Sequence, residues 1–322
     1  MQNNNPQTSA QRSARDRVGL AIFGPNAAAC VASIISAEAA GVQQVWMTQS
    51  TPAPDTLTLF SAAAVQTKTI RLGTAIVPTY PRHPLALAQQ ALAIDDLAPN
   101  RLRLGIGPSH RPVMEGVYGL AMGSPLEHLQ EYTSILHTVF AEGKIEHKGR
   151  YYTINGTLPR TAQMPVLVSA LNEGAFRLAG EISDGAISWN CPVDYLLERS
   201  RPALQEGAAK ADRATPPLVA HVSVALSSDR QAALAAGRKQ LGRYARLPFY
   251  AKMFGQAGFP VEDGTMSDAL LDSLVISGDE ATVSRRIHEL LAAGLDELLL
   301  MPIQVEDVKT ETERVAGLIG RL

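Results

Sequence analysis

Two stretches of the chain place groups capable of chemistry where short turns would display them. In Ser169-Ala170-Leu171-Asn172-Glu173-Gly174-Ala175 an apolar run passes through a polar turn directly into a helical pattern. The N–H groups that open a helix have no partner inside it, and with the helix dipole they make a ready phosphate site. An ordinary turn with Asn172 as N-cap accounts for the same residues, and on these residues alone it is the commoner case. The second stretch is Gly105-Ile106-Gly107-Pro108-Ser109-His110. There His110 is placed for proton transfer or for a hydrogen bond within its own loop. A dinucleotide fingerprint would need glycine where His110 stands, so the GxG is a weak one.

Other chemistries find little support. The seven histidines are scattered, and His288-Glu289 lacks the second histidine that a zinc-binding helix carries four residues on, so no metal site is expected. No nucleophile elbow and no serine-histidine-acid set can be read from the spacing. A site poor in acids, bases and ligands is what remains when a bound cofactor carries the chemistry and the protein positions it.

The elements that must position these residues alternate along the chain. Short β-branched runs are followed by Ala/Leu-rich stretches of helical period, the pattern of parallel strands joined by crossover helices. The strands are expected at Val18 to Phe23, Gln44 to Thr48, Ile70 to Val77 and Leu102 to Ile106, then Pro165 to Ser169, Ala186 to Trp189, Leu218 to Leu226 and Glu297 to Met301. Asn26 and Asp279 read as N-caps, Asp55 as the start of a helix, and Gly41 and Gly294 as helix stops. Residues 142–163 read as a polar excursion or small hairpin. The stretch between strand seven and Asp279, which contains Arg243 to Pro248 and Gly255 to Gly264, shows helical pieces without a strand signal, an insertion on the functional rim. Eight units favour a closed (β/α)8 TIM barrel over an open doubly wound sheet, with the site at the C-terminal ends of the strands. Strand two delivers Thr48, Gln49 and Ser50 there, strand three Ala75 and Ile76, strand four Ser109 and His110, strand five Ala170 to Asn172, and strand six Trp189 and Asn190.

Of 322 residues 46% are hydrophobic, enough for a large core, and 29 basic against 31 acidic residues leave a net charge of -2. That balance gives no reason to expect nucleic acid or an anionic membrane as partner. Cys30 and Cys191 are too few for a disulfide scaffold, which points to a reducing, cytoplasmic setting. Residues 1–17 read as a disordered polar tail ahead of a single domain, 18–322.

Nearly all of the chain after that tail resembles the bacterial luciferase-like oxidoreductases, and within them the enzymes that use the deazaflavin coenzyme F420. The resemblance rests on Arg71-Leu72-Gly73-Thr74-Ala75-Ile76-Val77-Pro78 with His83-Pro84-Leu85-Ala86-Leu87-Ala88. It extends through Arg101 to His110, and through Leu178-Ala179-Gly180-Glu181 with Asp184-Gly185. It implies that the turn of Ser169, Ala170, Leu171, Asn172 and Gly174, running into Ala175, holds the cofactor phosphate. It also implies a bulge with a non-proline cis peptide at Ala75-Ile76 supporting the ring, and Ser109 and His110 near the ring or polyol chain. Thr48 completes the candidate cofactor contacts, and His110 is the candidate catalytic residue. The implied activity is hydride transfer between F420 and an organic substrate by a homodimer. An FMN-dependent monooxygenase and a non-catalytic flavin-binding relative are the alternatives. Gln49, Ser50 and Pro108 stand where some F420 enzymes carry acids and a histidine, which speaks against a sugar-phosphate dehydrogenase.

Overall fold

The computed structural model describes residues 12–50 and 52–322. Eight strands lie on the eight expected runs: β1 (Val18–Ala21), β2 (Gln44–Met47), β3 (Arg71–Thr74), β4 (Leu102–Gly107), β5 (Val166–Ser169), β6 (Gly185–Ile187), β7 (Leu218–Ala225) and β8 (Glu297–Pro302). Each pairs in parallel with the next, and β1 pairs with β8 from Val18↔Leu298 to Leu20↔Leu300. The sheet therefore closes into a (β/α)8 barrel, as the eight alternations require. No described helix is long and apolar enough to cross a membrane.

Local chemistry sets the helix starts. Side chains of Asn26, Asp55, His83, Asn172 and Asp279 each accept a hydrogen bond from a backbone N–H in the first turn of the helix they open. Residues 142–163 contain the expected hairpin, Lys144–Lys148 paired antiparallel with Thr153–Thr157.

Inside the barrel, strand neighbours share a face, so the registers identify the inward residues. Trp46 fills the lower interior. A Cβ on Gly19 would meet its indole Nε1 at 2.5 Å, and one on Gly73 would collide with its six-membered ring, so both neighbouring strands carry glycine opposite it. Below Trp46 lies an ionic plug. Glu297 Oε2 accepts from Arg103 at 2.5 Å, Glu297 Oε1 from Arg12 at 2.9 Å, and Gln44 bridges the two by donating to Glu297 and accepting from Arg103. Burial disfavours the Glu297 carboxylate, but Arg103 and Arg12 outweigh that cost and hold its pKa at about 2.

Two expectations are corrected. Residues 12–17 are not part of a free tail: Ala14–Arg17 is a helical turn capped by Ser13. Arg12 joins the plug, and Arg17 donates to the carbonyls of Leu295 and Asp296. The rest of the expected tail, residues 1–11, lies outside the described residues. Second, the segment after β7 contains a strand, Val275–Ser277, which pairs with Ser223 to Ala225. Its three residues are too few to show an alternation. Glu38 accepts backbone hydrogen bonds from Lys68, Thr69 and Ile70 and so fastens the turn before β3.

Candidate active site at the barrel mouth

The two sides of the mouth are built differently. Registers such as Gly105↔Leu167 and Ser169↔Ile187 carry the inward face upward to Ala75, Gly107 and Ser169 on strands three to five. On strands six to eight the inward face carries Ile187, His221 and Met301. A Cβ on Gly107 would overlap Ser169 Oγ, so these two positions lie against each other with no room for a larger residue. Thr48, Ile76, Ser109, His110 and Ser169 all keep part of their surface open although they sit at strand ends inside the ring of helices. The mouth is thus open above small residues on one side and filled on the other.

On the open side the peptide bond between Ala75 and Ile76 is cis, the geometry expected there. The strand breaks at this point and resumes at Val77–Pro78 beside β4, and the Ile76 carbonyl accepts from Gln49 N–H at 3.2 Å. The Gln49 side chain accepts from Thr56 N–H at 2.7 Å, and the Thr48 carbonyl accepts from the Thr56 hydroxyl at 3.0 Å. Gln49 therefore shapes its loop and is not displayed for chemistry.

After β4, Ser109 adopts a left-handed conformation with φ of 60° and delivers His110 to the start of the helix Arg111–Gly116. The His110 ring packs edge-on against Tyr250 at 5.7 Å. Burial, reinforced by the Arg243 charge, lowers its pKa below the ordinary histidine value.

The filled side is a stack. Trp189 lies on His221 with ring centres 3.9 Å apart, and its indole N–H donates to the Tyr244 hydroxyl at 2.9 Å. Tyr244 in turn packs on Tyr250 at 4.8 Å. Beneath, His221 Nδ1 accepts from Asn190 N–H at 3.3 Å, and Nε2 faces Met301 Sδ at 3.4 Å. Burial pushes His221 down to about 3, so it stays neutral. Sequence reasoning passed over His221, and its signal is a polar residue on the inward parity of an otherwise apolar run. Tyr244 and Tyr250 belong to the expected insertion and are buried against the mouth. Cys191 beside them is a buried thiol raised to about 12 by desolvation, not an activated thiolate.

The strand-five turn combines both readings made of it. Ala170 remains in the sheet, donating to the Ile187 carbonyl, and Asn172 caps the helix Glu173–Ile182 by accepting from Ala175 N–H at 3.0 Å. The cap uses the Ala175 donor and leaves the N–H groups of Glu173 and Gly174 free of helical partners. The Glu173 carboxylate is drawn aside by Arg199 at 2.8 Å. The structure thus gathers Thr48, Ala75, Ile76, Ser109, His110 and the Ser169–Ala175 turn at one end of the barrel.

Known proteins share this architecture. An F420-dependent glucose-6-phosphate dehydrogenase of Beutenbergia cavernae is 30% identical over 271 residues, covering 80% of this chain and 79% of its own. An F420-dependent secondary alcohol dehydrogenase, solved with an F420-acetone adduct, superposes with a TM-score of 0.76 at 16% identity over 94% of this chain and 97% of its own. The FMN-bound oxygenating constituent of 3,6-diketocamphane monooxygenase from Pseudomonas putida has the same fold, with a TM-score of 0.69 at 19% identity over 90% of this chain and 91% of its own. The luciferase-like monooxygenase family model matches residues 4–297, and the chain belongs to that family.

Proposed function

We propose that the protein is an oxidoreductase that uses coenzyme F420 to exchange a hydride with a small organic substrate. The observation that carries this reading is the open half of the mouth. There the inward residues shrink to Ala75, Gly107 and Ser169, and the same strand five leads straight into a helix start with two free N–H donors. A flat ring ending in a phosphate fits that combination of a small-residue floor and an anion-binding turn. Glu173 and Gly174 N–H would hold the phosphate, with Ser169, Ile76, Ser109 and Thr48 along the ring and its side chain. Bound there, the deazaflavin supplies hydride chemistry. The likeness to F420-dependent relatives supports this cofactor, and the family resemblance extends the reading to a cytosolic homodimer with one barrel domain.

His110 is the group that moves the proton. Neither ring nitrogen makes a hydrogen bond within the described residues, and burial beside Arg243 keeps the ring neutral near pH 7. A neutral imidazole can take a proton from a substrate hydroxyl or return one to the oxygen formed from a carbonyl. Tyr250 packs against the His110 ring and holds it on the wall of the mouth. In His110→Gln, turnover should fall by about 100-fold, the lower end of what general acid-base groups contribute, with cofactor affinity unchanged. Equal turnover in that variant would remove His110 from the reaction.

Titration with F420 and FMN in parallel tests the cofactor. Tight F420 binding with weak FMN binding supports the reading, whereas FMN binding with oxygen consumption would replace it by a flavin monooxygenase. Binding of a cofactor without turnover of any substrate would favour the non-catalytic relative. The clamp itself is tested at Gly174, where a Cβ would only touch Asn172 Oδ1 at 3.4 Å and Leu126 at 4.0 Å. Gly174→Ala should therefore bind cofactor nearly as the parent does. Gly174→Pro removes one of the two free donors at a helix position that tolerates proline, so it should fold and bind at least tenfold more weakly. Parent-like affinity in a folded Gly174→Pro protein would place the phosphate elsewhere.

A further inference from the structure

We propose that Arg243 is a specificity residue that receives a carboxylate on the substrate, so that the enzyme selects acidic organic molecules. The proposal rests on the mouth being the reaction site, and deepens that reading.

Four other arginines around the mouth are committed. Arg111 pairs with Glu115, Arg199 with Glu173, Arg177 with Glu206, and Arg82 with Asp55. Arg243 makes no such pair among the described residues. It is nonetheless held in place, since its guanidinium lies 5.1 Å from the centre of the Tyr244 ring and donates to the Tyr244 hydroxyl at 3.3 Å. That hydroxyl also accepts from Trp189, so the cation is tied through one oxygen to the wall of the mouth. A guanidinium fixed in this way keeps most of its donors free and suits the planar, two-oxygen geometry of a carboxylate. Tyr244 packs on Tyr250, whose ring lies edge-on against His110, so the anion subsite and the proton-transfer group share one wall of the mouth. A carboxylate docked there would orient the reacting carbon of a small molecule relative to His110. The arginines beside the phosphate turn, Arg177 and Arg199, are already neutralised by Glu206 and Glu173.

The test uses intrinsic fluorescence. The chain has two tryptophans, of which Trp46 is sealed in the barrel and Trp189 shares its hydrogen-bond acceptor with Arg243. Full-length protein is titrated with benzoate, cyclohexanecarboxylate and hexanoate, each against its uncharged amide. At least one acid should bind tenfold or more tightly than its amide. Arg243→Gln should abolish that preference, and Arg243→Lys should retain part of it. The proposal falls if no acid outbinds its amide, or if Arg243→Gln binds the acids as the parent does.

A carboxylate could instead come from the acidic tail of F420 itself. Repeating the titration on protein saturated with F420 separates the two sources. Retained acid binding assigns Arg243 to substrate. Lost acid binding, together with F420 affinity that drops in Arg243→Gln, assigns it to the cofactor and overturns the proposal. Parent protein that binds neither F420 nor FMN would instead sink the reading of the mouth, whatever the acids do.

Discussion

Glu297→Ala is expected to lower the unfolding free energy by about 3–5 kcal/mol, the usual consequence of removing one partner from a buried ion pair. Glu297 is only 1% exposed and is the carboxylate on which Arg103 and Arg12 converge. Without it, two guanidiniums point into the barrel with Gln44 as their remaining polar neighbour. The Arg71 guanidinium on the same layer, whose pKa is lowered by burial and then by the charges of Arg103 and Arg12, adds to the repulsion. Urea unfolding at pH 7 measures the loss, and a change below about 1 kcal/mol would mean that water enters the barrel base and screens the plug.

Acid is expected to destabilise the protein earlier than carboxylate titration alone would bring about. Two buried histidines have folded pKa values below their unfolded value of about 6.5: His221 at about 3 and His128 at about 4. Burial is the main cause in both. His128 is enclosed by Tyr80, stacked at 4.0 Å, with Thr79 and Tyr152 on its ring nitrogens. The unfolded chain takes up these protons below pH 6.5 while the native state refuses them, so their contribution is complete above 6.5 and is lost as pH falls toward 4. Each such group contributes a slope of about 1.4 kcal/mol per pH unit, or about 2.7 for the pair. Denaturant melts between pH 7 and 4.5 give the slope, and proton NMR of the histidine rings gives its origin. Two rings that fail to titrate above pH 5 are expected, and ring signals of His128 and His221 moving near pH 6.5 would contradict the account.

The barrel could be read from the sequence because a parallel sheet covered on both faces writes each strand as a short apolar run, and caps such as Asn26, Asp55 and Asp279 act within three residues of themselves. What escaped acts across the chain. Arg12 meets Glu297 from 285 positions away, so the polar composition around Arg12 suggested a tail. Glu38 looks exposed on its helix, and its acceptors' partners lie in another turn 30 residues on. At the site, the positions of His110 and the strand-five turn were legible because strand ends define them. The stack of His221, Trp189 and Tyr244 was not, because it joins three separate segments and only the folded register brings them face to face.

The contrast between the two sides of the mouth also bears on how such an enzyme can diversify. The open side is made by the barrel strands themselves, and a substitution at Gly107 or Ser169 disturbs the closed ladder as well as the space above it. The facing wall draws Arg243, Tyr244 and Tyr250 from residues 226–277, a segment inserted between β7 and the last helix-strand unit. Mutations accumulating in that segment can redraw the chemical preference of the mouth while the ladder is inherited intact. Lineages sharing this barrel can thus part company over what they accept long before they differ in how the reaction is run.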